Sequence, residues 1–100
     1  MSNIVIISAL AEKELQESFD WYEEQWMGLG ERFLNQIEAA ITTVGNNPKS
    51  FPIKTGPYRQ YVVSTFQFVI VYEYIPEEQL VYILHVFHTS QDPDKKLRGK

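Results

Sequence analysis

Few side chains in this sequence are suited to chemistry, and the two histidines are the first to consider. His85 and His88 are three residues apart in an apolar, β-branched run. On a strand this spacing places two side chains on opposite faces, so the pair is not suited to binding one metal ion, and we predict no metal site and no cofactor. His85 is expected to be a half-buried strand residue with a satisfied hydrogen bond. His88, at the strand end, fits a structural role and a site-lining role equally well.

The basic residues fall in two short segments. Residues 41–72 contain three bases and no acid, and the four bases of residues 73–100 all lie in the last six positions. Arg59 stands out because a guanidinium beside tyrosines can bind a phosphate or a carboxylate through two parallel hydrogen bonds; pairing with a surface acid is the alternative. The candidate catalytic residues are Arg59, His88, Lys96 and Arg98, and the candidate partner-binding residues are Trp21, Arg59, Lys95, Lys96 and Arg98. We expect Arg59, His88 and the terminal bases to share one end of a sheet, where they would form a positive patch.

The first 40 residues are acidic. They hold eight acids and two bases, and the net charge of the whole chain is −4. This balance argues against unaided binding to a nucleic-acid backbone, which requires clustered cations. The carboxylates of this region are predicted to form a solvated helix face. Trp21 lies off the apolar stripe of that helix and is a candidate anchor for a partner, whereas Tyr22 and Trp26 lie on the stripe and are expected to pack in the core.

The elements that must position these side chains follow from periodicity and turn signals. Residues 3–8 are predicted to form a strand, and Ser8 is predicted to cap a helix over residues 9–27. Gly28 and Gly30 indicate a turn into a second helix that ends near Gly45. Residues 45–57, rich in proline and short polar side chains, are predicted to be a surface connection. Three strands follow, at 58–65, 66–75 and 79–87, and the middle one is expected to be central because both of its alternating sets are mostly apolar.

The predicted fold class is therefore α+β. We expect the order β-α-α-β-β-β in a single domain over residues 1–100, with a small, mainly antiparallel sheet and the helical hairpin packed on one of its faces. The chain contains no cysteine, its apolar runs are too short to cross a membrane, and no basic segment precedes the first strand. We therefore expect a cytoplasmic protein without membrane contacts.

Several segments, taken in order, resemble one protein family. They include Trp21 to Glu24, Gly28 to Phe33, Phe68 to Tyr72, and the run His88-Thr89-Ser90-Gln91-Asp92-Pro93 after the last strand. With the first strand, the opening of the first helix at Ala11, Ile37 to Ile41, Asn47-Pro48, Phe51-Pro52 and Arg59, the match covers almost the entire chain. The pattern is similar to that of RelE/ParE-type toxins of bacterial type II toxin-antitoxin (plasmid stabilisation) modules, and the long helical hairpin is closer to the ParE-like branch.

The resemblance implies a growth-inhibiting toxin that is neutralised by a cognate antitoxin chain wrapping the domain. For the ParE-like branch it implies DNA gyrase as the target. Two alternatives stay open: a RelE-type ribosome-dependent endoribonuclease acting on mRNA, and a non-toxic, repurposed protein-binding module. Gln91 stands where the family commonly has arginine, and the bases of the RNA-cleaving branch are few here, so whether the chain is an enzyme stays undecided. A homodimer and a toxin-antitoxin hetero-oligomer are both compatible with the resemblance.

Overall fold

A computed structural model describes residues 3–89. The elements in chain order are β1 (Ile4–Ile7), α1 (Ala9–Gln25), α2 (Leu29–Asn46), β2 (Ile53–Thr55), β3 (Tyr58–Val63), β4 (Phe68–Ile75), a 3-10 turn (Pro76–Glu78) and β5 (Leu80–His88). Five strands form one sheet in the order β1-β5-β4-β3-β2. Among the strands within residues 3–89, β1 and β5 pair in parallel and the other neighbours are antiparallel. The predicted α+β class, its β-α-α-β-β-β framework and the central position of β4 are confirmed.

The two helices form a hairpin that covers one face of the sheet. Ser8 caps α1 as predicted: its Oγ accepts a hydrogen bond from the Ala11 amide at 3.0 Å and donates one to the Leu84 carbonyl at 2.8 Å. Gly28 is the N-cap of α2 and has a φ of 87°, which a residue with a side chain rarely adopts. The core lies between the hairpin and the sheet and consists of Phe33, Ile37, Val44, Phe68, Ile70, Tyr72, Val81, Ile83 and other buried apolar residues.

Two predictions about local structure are wrong. The segment predicted to be only a surface connection contains β2, whose Ile53 pairs with Arg59 of β3. Three residues are too few to show strand alternation, so only the pairing reveals this element. Trp26 does not pack in the core but is 75% exposed. Because α1 ends at Gln25 and Trp26 has extended backbone angles, its side chain does not follow the helical stripe.

The direction of the strands decides which side chains meet. Arg59 pairs with Tyr72, whereas Phe68 of the same strand β4 pairs with His88 of β5. Two chain reversals make β3 and β5 run in the same direction, so the start of β3 and the end of β5 lie at opposite ends of the sheet. Phe68 and Tyr72 are four positions apart along β4, which corresponds to roughly 13 Å. The expectation that Arg59 and His88 share one end is therefore wrong.

Candidate functional site

A groove of about 620 Å³ opens where α1 crosses the second half of β5. We call it the α1–β5 groove; it is lined by Glu14, Glu17, Ser18, Trp21, Tyr22, Phe68, Val86, Phe87 and His88. The four α1 residues from Glu14 to Trp21 are spaced at i, i+3, i+4 and i+7, which places them on one side of the helix. The sheet residues supply the opposite wall. Trp21 and His88, two of the residues singled out from the sequence, thus line the same groove.

Aromatic side chains form the base of the groove. Phe68 is 3% exposed, and its ring centroid lies 4.7 Å from that of Phe33 and 5.5 Å from that of His88. Tyr22 packs edge-on against Trp21 at 5.1 Å, and burial raises the pKa of the Tyr22 hydroxyl. Trp21 itself is 57% exposed, so its predicted position outside the core is confirmed. An exposed aromatic ring held against a packed cluster is typical of an anchor for a partner.

Glu14 closes the open edge of β5 beside the groove. β1 pairs with β5 only as far as Ile83, so the backbone beyond that residue lacks a neighbouring strand on this side. There Glu14 Oε1 accepts a hydrogen bond from the Val86 amide at 2.8 Å, and Glu14 Oε2 lies 3.3 Å from His85 Nδ1. His85 is half-buried with a polar partner, as predicted. Glu14 itself, expected on a solvated face, instead holds the end of β5 to α1.

Glu17 differs from Glu14 in having no such contact. Its side chain is exposed, and it makes no hydrogen bond or ion pair within residues 3–89. The groove lining contains two carboxylates and, among the described residues, no lysine or arginine. Its chemistry is therefore that of an apolar cleft with a negative rim. Sequence reasoning missed Glu14, Glu17 and Phe68, although the spacing of Glu14, Glu17 and Trp21 on one helix face is a signal that could have grouped them.

Arg59 lies at the other end of the sheet, where it holds a loop. Its Nη1 donates to the Phe51 carbonyl at 2.8 Å and approaches the Lys49 carbonyl at 3.4 Å. The hydroxyl of Tyr72 donates to the Pro48 carbonyl at 2.7 Å in the same region. Burial raises the pKa of Tyr72, and the positive charge of Arg59 lowers it in part. Neither an aspartate nor a glutamate pairs with Arg59 among the described residues.

Next to this loop is a polar hollow of about 380 Å³, lined by Asn3, Asn46, Asn47, Pro48, Lys49, Ser50, Tyr74, Pro76 and Gln79. The lining includes one base and no acid. The remaining predicted site residues, Lys95, Lys96 and Arg98, lie outside the described residues. No cluster of three metal-ligating side chains occurs within residues 3–89, and no helix in that range is long and apolar enough to span a membrane.

Comparisons with known proteins agree with this architecture. Residues 5–93 match the family described as ParE toxin of type II toxin-antitoxin system, parDE. A chain of the intact E. coli RelBE toxin-antitoxin complex superposes with a TM-score of 0.69 at 15% identity, covering 88% of this chain and 98% of that one. The RelBE2 complex of Mycobacterium tuberculosis gives 0.67 at 18% identity, with coverages of 88% and 99%. The chromosomal ParDE system of P. aeruginosa gives 0.64 at 13% identity, with coverages of 87% and 96%.

The structural neighbours share the fold, and the family match extends over most of the sequence. A search of curated proteins finds no match. The chain belongs to the ParE toxin family of type II toxin-antitoxin systems. The resemblance stated from the sequence is thereby confirmed.

Proposed function

We propose that this protein is the toxin of a type II toxin-antitoxin module and that a cognate antitoxin neutralises it. Membership of the ParE toxin family carries the proposal. Support for the partner comes from similar folds in the RelBE and ParDE toxin-antitoxin systems. The exposed Trp21 ring beside an apolar groove supplies a physical reason for expecting a protein partner, since exposed aromatic anchors next to pockets are where binding energy concentrates.

We propose DNA gyrase, in preference to the ribosome, as the target of the toxin. Cleavage of RNA by its own 2′-hydroxyl requires cations that stabilise the charge developing on phosphorus and a group that moves protons. The described lining of the α1–β5 groove carries Glu14 and Glu17 and neither lysine nor arginine, so it repels a phosphate backbone. An apolar cleft with an exposed tryptophan is better suited to a protein surface. On this proposal the toxin acts by binding and performs no catalysis of its own.

The basic residues remain candidates for contacts with the target or the antitoxin. One nitrogen of the Arg59 guanidinium is engaged by loop carbonyls, and its other donors are available to a partner. Lys95, Lys96 and Arg98 follow the strand that ends at the groove, so they are the candidates nearest to it along the chain. Ending the chain after Pro93, with the fold checked by circular dichroism, tests these three together.

Induced expression in a bacterial host separates the alternatives. We expect growth arrest with gyrase-linked DNA breaks, and rescue by co-expression of the small reading frame adjacent to the gene. With purified protein, inhibition of supercoiling by gyrase should occur without cleavage of mRNA on translating ribosomes. Cleavage of mRNA in that assay would overturn the gyrase assignment in favour of a RelE-type endoribonuclease. Normal growth at high expression would favour the non-toxic binding module.

A further inference from the structure

The α1–β5 groove is a cleft of about 620 Å³ with an aromatic base. Its base is closed by Phe68 and Tyr22, which are fixed by aromatic contacts with Phe33 at 4.7 Å and 5.0 Å. Its rim is formed by Trp21 on the helix side and His88 on the sheet side. A volume of about 620 Å³ admits a large apolar side chain together with part of the adjoining backbone.

The rim determines which neighbouring residue is accepted. Glu17 and Trp21 are one helical turn apart and both line the groove, so a carboxylate and an exposed indole ring are neighbours on this side of α1. Glu17 has no partner among residues 3–89, whereas the Glu14 carboxylate contacts the Val86 amide and the His85 ring. A lysine or arginine that crosses this rim can pair with Glu17 while its cation lies over the Trp21 ring.

We propose that the α1–β5 groove is the binding site for an extended segment of the antitoxin that carries a large apolar side chain next to a lysine or arginine. The identity of this partner rests on the proposed toxin function, but the chemistry it must have rests on the groove alone. A second copy of this chain is a poorer occupant, because it would bring two acid-rich N-terminal halves together and like charges repel.

A random peptide library displayed on phage and selected against the full chain tests this chemistry and does not require the antitoxin itself. The selection is repeated against Glu17→Lys and Trp21→Leu. Glu38→Lys and Trp26→Leu are the matched controls, because both residues are exposed and neither lines the groove. Peptides selected by the wild type should pair a large apolar residue with lysine or arginine. The affinity of such a peptide should fall about tenfold in each groove variant and stay unchanged in each control.

A charge exchange provides a second readout. The selected peptide with its base replaced by glutamate should bind Glu17→Lys more tightly than it binds the wild type. The proposal is overturned if no peptide is selected, if selected peptides lack basic residues, or if they bind Glu17→Lys as tightly as the wild type. A chain ending at Pro93 should bind the same peptide with unchanged affinity. A gain of tenfold or more would assign the groove to the chain's own terminal segment and also overturn the proposal.

These outcomes are distinguishable from failure of the toxin function. If induced expression leaves growth normal while the peptide selection is basic and depends on Glu17, the toxin proposal fails and the groove chemistry stands. If expression arrests growth and the adjacent reading frame rescues it, while Trp21→Leu and Glu17→Lys leave rescue and peptide binding unchanged, the toxin proposal stands and the groove assignment fails.

Discussion

The two ends of the sheet differ in charge and in how their polar groups are used. At the groove end, two glutamates surround a hydrophobic cleft that contains no lysine or arginine within the described part of the chain. At the loop end, a hollow lined by amides includes Lys49 and no acid, and Arg59 binds backbone carbonyls nearby. One end of the sheet therefore presents an apolar cleft beside two carboxylates, whereas at the other end Arg59 holds a loop through one of its nitrogens.

This difference shows that family resemblance and net charge do not locate a binding surface. An arginine in an acid-free segment suggests a phosphate site, yet its Nη1 donates to the Phe51 carbonyl at 2.8 Å. Carboxylates on a helix suggest a solvated face, yet Glu14 accepts from the Val86 amide at 2.8 Å and shapes the groove. The role of each of these two charged side chains is set by the backbone carbonyl or amide that is close enough to form a hydrogen bond with it.

The largest expected effect comes from removing the base of the groove. Phe68→Ala should lower the free energy of unfolding by about 3 to 5 kcal/mol, because a buried ring with aromatic neighbours leaves a cavity. Urea denaturation followed by tryptophan fluorescence measures this. Val62→Ala is the control, because Val62 is 57% exposed and its loss should change the free energy by less than about 0.5 kcal/mol. Equal effects of the two substitutions would contradict a packed groove base.

Removing the contact that closes the β5 edge should have the next largest effect. Glu14→Ala leaves the amide of the buried residue Val86 without its acceptor and should lower the free energy of unfolding by about 1 to 3 kcal/mol. Glu14→Gln keeps an acceptor oxygen and should cost less. Hydrogen exchange at the Val86 amide should be faster in Glu14→Ala, whereas Glu17→Ala should leave it unchanged. Unaltered exchange in Glu14→Ala would show that this contact does not protect the edge.

At the loop end, Arg59→Ala should lower the free energy of unfolding by about 1 to 2 kcal/mol, because the carbonyls of the loop lose a charged donor. Lys54→Ala, an exposed substitution nearby, should have little effect. Because the groove lies at the opposite end, the affinity of a groove-binding peptide should change less than twofold, within the range seen for independent sites. Isothermal titration calorimetry checks this, and a tenfold loss would mean that the two ends are coupled.

The smallest expected effect is on the pH dependence of stability, through Tyr22 at the groove end of the sheet and Tyr72 at the loop end. Burial raises the pKa of Tyr72 and of Tyr22 above the ordinary value of 10.0, so both hydroxyls resist ionisation in the folded state. Their contribution to stability is complete below pH 10. It is lost as the pH rises further, because the unfolded chain ionises first. The decline in stability above about pH 10 should therefore be weaker in Tyr72→Phe and in Tyr22→Phe than in the wild type.

At neutral pH the two tyrosine variants should differ. Tyr72→Phe loses the hydrogen bond to the Pro48 carbonyl and should be destabilised by about 1 kcal/mol. Tyr22→Phe should be nearly unchanged, because its hydroxyl makes no hydrogen bond within residues 3–89. Urea titrations at several pH values measure both quantities. A wild-type stability that stays constant above pH 10 would contradict the assignment of these two groups.

Much of the fold could be predicted because it is encoded locally. Apolar residues at helical spacing predict both α1 and α2. Ser8 predicts the start of α1, and Gly28 and Gly30 predict the turn between the two helices. Two apolar sets predict the central position of β4. The exposure of Trp21 follows from the same periodicity. The prediction fails at Trp26, which lies just beyond the end of α1, and at β2, which has only three residues. In both places too few residues follow a regular spacing for periodicity to predict their structure.

The sequence by itself determined the order of the elements, the face that each helix buries, and the presence of bases and acids in separate segments. The tertiary structure alone decided which of these residues meet. Strand direction separates Arg59 from His88, and the early end of β1 leaves the Val86 amide for Glu14 to bind. These outcomes depend on pairings between residues far apart in the chain. Local periodicity carries no information about such pairings, because strand direction and register are set when the whole sheet and its core pack together.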